Sequence, residues 1–120
     1  MAYVAGDPHK LMGTVVGNGH CVAYARAAAS MPHTSTWRQG ALVHGDNTIP
    51  RGCAIATFDP NQRYGNKVDG TSHVAIYLGQ SILGIQVVDQ WVGQVVHERT
   101  IYFRNAPRKV NDGRNYHVVE

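Results

Sequence analysis

A chain of 120 residues with 43% apolar and 16% charged residues has the material for one modest core and lies far from the composition of disordered segments. Its formal charge of +3 comes from Lys and Arg scattered along the chain with no run of five, which describes a solvated surface with at most a mild attraction to anionic polymers, and not a nucleic-acid-binding arm. No apolar stretch approaches the ~20 residues that cross a bilayer, the first residues lack the ordered regions of a secretory signal, and Cys21 and Cys53 are too few for a disulfide framework, so a single soluble domain over residues 1–120 is expected.

The first patterned segment is Cys21 to Ser30, CVAYARAAAS, rich in Ala and free of Gly and Pro, which predicts a helix. Gly17-Asn18-Gly19-His20 precedes it as a turn that tolerates unusual backbone angles, and Met31-Pro32 closes it. A shorter helix is expected at about Thr36 to Val43, where Trp37 and Ala41 fall one turn apart around Gly40. From Ile49 the pattern becomes strand-like: Cys53–Phe58, Ser72–Leu78, Ile85–Trp91, Val95–Phe103 and Tyr116–Val119, separated by turn residues such as Asp59-Pro60-Asn61. Helix first and strands after it predict an α+β domain, an N-terminal helix packed on a curled antiparallel sheet of four to five strands.

A thiol attacks carbonyls as thiolate, and a helix N-terminus or an imidazole lowers its pKa from ~8.5. Cys21 stands at such a helix start, behind a Gly-rich approach that lets amides come close to a developing oxyanion. His73 opens the apolar run His73-Val74-Ala75-Ile76-Tyr77-Leu78 directly after Asp69-Gly70-Thr71-Ser72, where an imidazole is placed to act as a base. A third group should orient that imidazole. On the next strand Ile85, Val87, Asp89 and Trp91 share a face by alternation, leaving Asp89 as a lone charge that wants a partner. A hairpin turning about Ser81 sets His73 opposite Asp89, whereas a register shifted by one presents Gln90.

These residues resemble a family. Gly19-His20-Cys21-Val22-Ala23-Tyr24 is similar to the cysteine-bearing helix start of NlpC/P60 and CHAP domains. Pro50-Arg51-Gly52-Cys53-Ala54-Ile55-Ala56-Thr57-Phe58 is similar to their first core strand, Ser72-His73-Val74-Ala75-Ile76-Tyr77-Leu78-Gly79 to their histidine strand, and Val88-Asp89-Gln90-Trp91 to the strand with the third polar residue. The order also resembles the small bacterial proteins of the BPSL0067 family, and it covers roughly Gly17 to Val119. Lecithin retinol acyltransferase-type domains share a similar histidine strand but carry His before Cys, so the order here sets them apart. Cys53 stands where the family often has Asp, and Trp91 where CHAP domains often carry Asn, which leaves Asn18 and the Cys21 amide as oxyanion candidates.

The resemblance implies a papain-like cysteine amidase or peptidase with Cys21 as nucleophile, His73 as base and Asp89 as orienting acid, working on amide bonds of bacterial peptidoglycan without a cofactor or metal. With no signal in view, it further implies export by a specialised secretion route to the periplasm or cell wall, a role as an interbacterial effector, and a cognate immunity protein as partner. Two other classes compete. A zinc protein would use Cys21, Cys53 and the histidines, but no Cys-x-x-Cys or His-x-x-x-His pair exists. A binding module could keep the fold without catalysis.

Overall fold

Among the described residues, 2–120, the computed structural model forms one α-helix, α1 (Cys21–Ala29). Tyr24, Ala25 and Ala29 recur at helical spacing and are buried, so the small alanine side chains let the helix lie close to the sheet. The helix stops at Ser30, whose left-handed backbone (φ 53°) returns its amide to Arg26 O.

Six strands follow: β1 (Gln39–Leu42), β2 (Ala54–Thr57), β3 (Val74–Gln80), β4 (Gly84–Trp91), β5 (Gln94–Tyr102) and β6 (Tyr116–Val119). They form one sheet in the order β1-β6-β2-β3-β4-β5 with every neighbouring pair antiparallel. Helix α1 packs on one face, against Ala54, Ala56, Val74, Ile76, Val88 and Val96. The alternate residues, Cys53, Ile55, Ala75, Tyr77, Ile85, Val87 and Ile101, form a second apolar cluster on the other face, with Val43, Ile49 and Phe103 packed over it. Double-sided burial explains why β2 reads as four consecutive buried residues rather than an alternating pattern.

The α+β expectation holds, with two corrections. The sheet has six strands, not four to five, and the segment expected as a second helix, Thr36 to Val43, is a short 3-10 turn at Thr34–Thr36 followed by β1. Local spacing lost to tertiary pairing. Trp37 is fully buried against Tyr64, with ring centroids 4.8 Å apart, and its Nε1 donates to Pro32 O at 3.0 Å. Beyond it the chain pairs with the C-terminal β6, Gln39 facing Val119 and Leu42 facing His117. Gly40 permits that approach, since a Cβ there would lie 2.8 Å from Val118 O.

The β3–β4 hairpin turns at Ile82–Leu83, closed by the Ser81 amide on Gly84 O at 3.0 Å, and not about Ser81. Ile76 therefore faces Val88 and Tyr77 faces Val87, with a bulge between Tyr77 and Gly79. Continuing that register puts Ala75 across from Asp89. His73 lies one same-face position beyond and reaches Asp89 on the diagonal, a span that long side chains cover.

Candidate active site

Cys21 is the first residue of α1, and the loop before it is held by β4. Gly17 (φ 56°) and Gly19 (φ 85°) adopt left-handed conformations that let the loop fold back tightly. The fully buried Gln90 ties this loop down: Oε1 accepts from Val16 N at 3.0 Å, and Nε2 donates to Val16 O and His20 O, both at 2.8 Å. Gln90 points to the helix side of the sheet, away from Asp89. It is not placed to orient His73, so the alternative register expectation fails and the residue instead positions the thiol-bearing loop.

His73 lies just before β3. Its amide donates to Thr57 Oγ1 at 3.1 Å, and that hydroxyl donates to Thr71 O at 2.8 Å, fixing the backbone where the turn becomes strand. The ring's Nε2 meets Asp89 Oδ2 at 2.7 Å. The other nitrogen, Nδ1, is not engaged by Asp89, and Cys21 lies close enough for thiol and imidazole to shift each other's protonation. The Tyr64 hydroxyl stands 3.8 Å from Cys21 Sγ.

Asp89 is fully buried yet well partnered. Arg99 Nε lies 2.9 Å from Oδ2 and 3.2 Å from Oδ1, and its Nη2 lies 2.8 Å from Oδ2. His97 Nε2 is 3.1 Å from Oδ1 without forming an aligned hydrogen bond. Trp91 covers the cluster from outside, its ring 4.8 Å from the Arg99 guanidinium carbon and 5.0 Å, edge-on, from the His97 ring.

The electrostatics follow from this geometry. Burial alone would push the Cys21 thiol up, but the hydrogen bond and positive charge of His73, the Val74 amide and the Tyr64 hydroxyl together hold it below its ordinary value. Burial alone would push His73 down, but Asp89 and the Cys21 thiolate raise it to about 9. Asp89 is likewise kept low, against burial, by His73 and Arg99. The direction is therefore toward a thiolate–imidazolium pair backed by a carboxylate. Cys53 differs: it is fully buried, and burial pushes its thiol up to about 11.

Cys21 and His73 line a cleft of about 580 Å³, walled by Val68, Trp91, Val92 and Arg108 among others. Of the candidate residues, the fold brings Cys21, His73 and Asp89 together. Asn18 lies outside this cleft, in a neighbouring depression with Val22 and Arg26, and its Oδ1 accepts from His20 N at 3.1 Å. Its side-chain oxygen is thus used in the turn before the helix. Among the described residues no three of His, Cys, Asp and Glu are gathered as a ligand set for a metal ion. Sequence reasoning missed Arg99 and His97, although both sit at period-two spacing on the strand beside Asp89, and it missed Tyr64, for which the sequence carries no local signal.

Comparison with known proteins adds a family. The family model described as domesticated amidase effector 2 matches residues 2–119. A "Type VI secretion amidase effector 2 protein" from Salmonella typhi is 39% identical over 115 residues, covering 94% of this chain and 84% of that protein. A solved structure described as "Type 6 secretion amidase effector 2 (Tae2)" superposes with a TM-score of 0.86 at 34% identity, covering 98% of this chain and 94% of its own.

Proposed function

Since this chain belongs to the domesticated amidase effector 2 family, we propose that it hydrolyses amide bonds of bacterial peptidoglycan as a secreted interbacterial effector, with Cys21 as nucleophile. The observation that carries the cysteine mechanism is that Cys21 and His73 face one cleft, with His73 Nε2 backed by Asp89 Oδ2 at 2.7 Å. The finer papain-like assignment, of the NlpC/P60 and CHAP kind, rests on the same chain together with the helix-borne cysteine and the histidine strand.

In this reading the Cys21 thiolate adds to the amide carbonyl carbon and the oxygen takes the negative charge. The Cys21 amide, at the first helical position with no intrahelical acceptor, is a preorganised donor for that oxyanion. His73 then gives its proton to the leaving nitrogen, the C–N bond breaks, and a thioester remains on Cys21. Water, losing a proton to His73, attacks the thioester and releases the acid. Asp89 keeps the proton on Nε2 and stabilises the imidazolium throughout, and Arg99 keeps Asp89 ionised. Because the donors that activate the nucleophile are all side chains and amides of this chain, activity is expected to withstand EDTA.

Delivery through a type VI secretion apparatus, as described for the Salmonella relative, fits a substrate outside the cytoplasmic membrane, and a cognate immunity protein covering the cleft is the expected partner. The test is direct. Purified peptidoglycan is incubated with the protein and with Cys21→Ala, and the released fragments are read by mass. New amine and carboxyl ends with the wild type alone support the reading, and equal release by both ends it.

A further inference from the structure

Three cations line the cleft beside Cys21, namely Lys67, Arg99 and Arg108, and no Asp or Glu side chain lines it. Two of the three have partners. Arg99 is engaged by Asp89, and Lys67 Nζ stands 3.6 Å from Asp59 Oδ2. The Arg108 guanidinium has neither a hydrogen bond nor an ion pair among the described residues.

Its stem is nonetheless seated. Gly70, at φ +88°, lies under it so closely that a Cβ would come 3.0 Å from Arg108 Cγ and Cδ. The flanking backbone is fixed as well: Val110 N donates to Gly70 O at 3.2 Å, Asn111 N donates to Arg108 O at 3.0 Å, and Lys109 Nζ bonds Phe58 O. Arg108 is exposed, yet its stem rests on backbone rather than projecting freely. Here the loop that leads into His73 and the segment that carries Arg108 are bound to each other, so the stem is anchored at the cleft that Cys21 also lines and the guanidinium's donors are unspent.

We infer that Arg108 is a substrate-binding residue that takes a free carboxylate of the peptide flanking the scissile amide. This rests on the amidase reading for the identity of the substrate but not for the existence of an anion site. A guanidinium fork matches a carboxylate with two parallel hydrogen bonds, which an ammonium such as Lys67 cannot reproduce. The exposed Val68 (85%) and Val92 (61%) beside it would cover the apolar parts of the same peptide.

Two measurements on the full chain test this. In the first, Cys21 is alkylated at low ionic strength with anionic iodoacetate and neutral iodoacetamide, the neutral reagent serving as reference for thiol reactivity. The iodoacetate-to-iodoacetamide rate ratio is expected to fall about threefold or more in Arg108→Gln, with partial recovery in Arg108→Lys. An unchanged ratio overturns the anion site.

In the second, soluble disaccharide-peptides from peptidoglycan are cleaved before and after carbodiimide amidation of their carboxylates. Arg108→Gln is expected to raise KM roughly tenfold or more on the untreated substrate with little change in kcat. The wild type should lose a similar factor on the amidated substrate, and the variant little more. Equal losses for the variant on both substrates overturn the carboxylate assignment. Failure of the wild type to cleave either substrate, with the iodoacetate preference intact, overturns the amidase reading and leaves the anion site standing.

Discussion

Cys21 and Cys53 are the same residue type in opposite electrostatic surroundings. Imidazolium, amide and hydroxyl outweigh burial at Cys21, whereas burial dominates at Cys53. Limiting iodoacetamide at pH 7 should therefore label Cys21 first, as peptide mapping would show, and faster labelling of Cys53 would contradict the assignment.

The pH dependence follows from the same pair. The value of kcat/KM should rise as pH passes the lowered pKa of Cys21 and fall as it passes the raised pKa of His73, about 9. For stability the signs are opposite at the two ends. His73 is raised above its unfolded value of ~6.5, so its contribution is complete below that pH and is lost as pH rises through about 9. Asp89 is depressed, so its contribution is present above the unfolded ~3.9 and is lost as pH falls through its lowered value. In Cys21→Ala the thiolate is gone, and NMR titration of His73 should give a lower pKa than in the wild type.

The substitution Asp89→Asn keeps shape but removes charge, so turnover should drop by about a hundredfold or more. It also leaves the half-buried Arg99 without its counter-charge, so a lower Tm should accompany the kinetic loss. An unaltered kcat in Asp89→Asn would remove it from the mechanism.

At the scale of elements, Gln90 joins β4 to the loop that carries the thiol, through three hydrogen bonds made by a fully buried side chain. Gln90→Leu keeps the volume but strands the Val16 amide and two carbonyls, at a cost of roughly 2–4 kcal/mol seen in urea unfolding. Since the Gln90 side chain makes its hydrogen bonds to Val16 and His20 and none to His73 or Asp89, the His73 titration should stay near its wild-type value while Cys21 alkylation changes. The strap before the helix offers a second check. Gly52 at φ +95° lies against the Ala5 carbonyl, whose own amide donates to Gly52 O at 2.8 Å, so Gly52→Ala carries both backbone strain and a clash. A loss of about 2 kcal/mol or more is expected, read as a fall in Tm of roughly 5–10 °C.

At the scale of the molecule, the last strand lies in the interior of the sheet. Strand β6 pairs with β1 on one side and β2 on the other, and Tyr116 and Val119 are fully buried. Ending the chain before Tyr116 should therefore give a species without cooperative unfolding rather than a slightly weakened enzyme. The candidate site is equally dispersed: its groups come from α1, the Tyr64 loop, the start of β3, β4 and β5, so it cannot exist before the sheet closes.

Some of this was legible along the chain because the physics is local. Ala-rich Cys21–Ser30 is a helix by propensity, four of the strands announce themselves by β-branched runs between turn residues, and the run Tyr116–Val119 coincides with β6. Cys21, His73 and Asp89 stood out because each breaks an otherwise apolar or turn-like pattern with a group that needs a partner. What only the tertiary structure decided were matters of pairing between distant segments. Strand β1 looks helical until β6 arrives beside it. The hairpin turn hides in the apolar Ile82–Leu83, which moved the register and turned a directly opposed His73–Asp89 pair into a diagonal one. Gln90, next to Asp89 in sequence, points to the other face because strand side chains alternate, and that alternation separates the residue that backs the imidazole from the one that holds the nucleophile's loop.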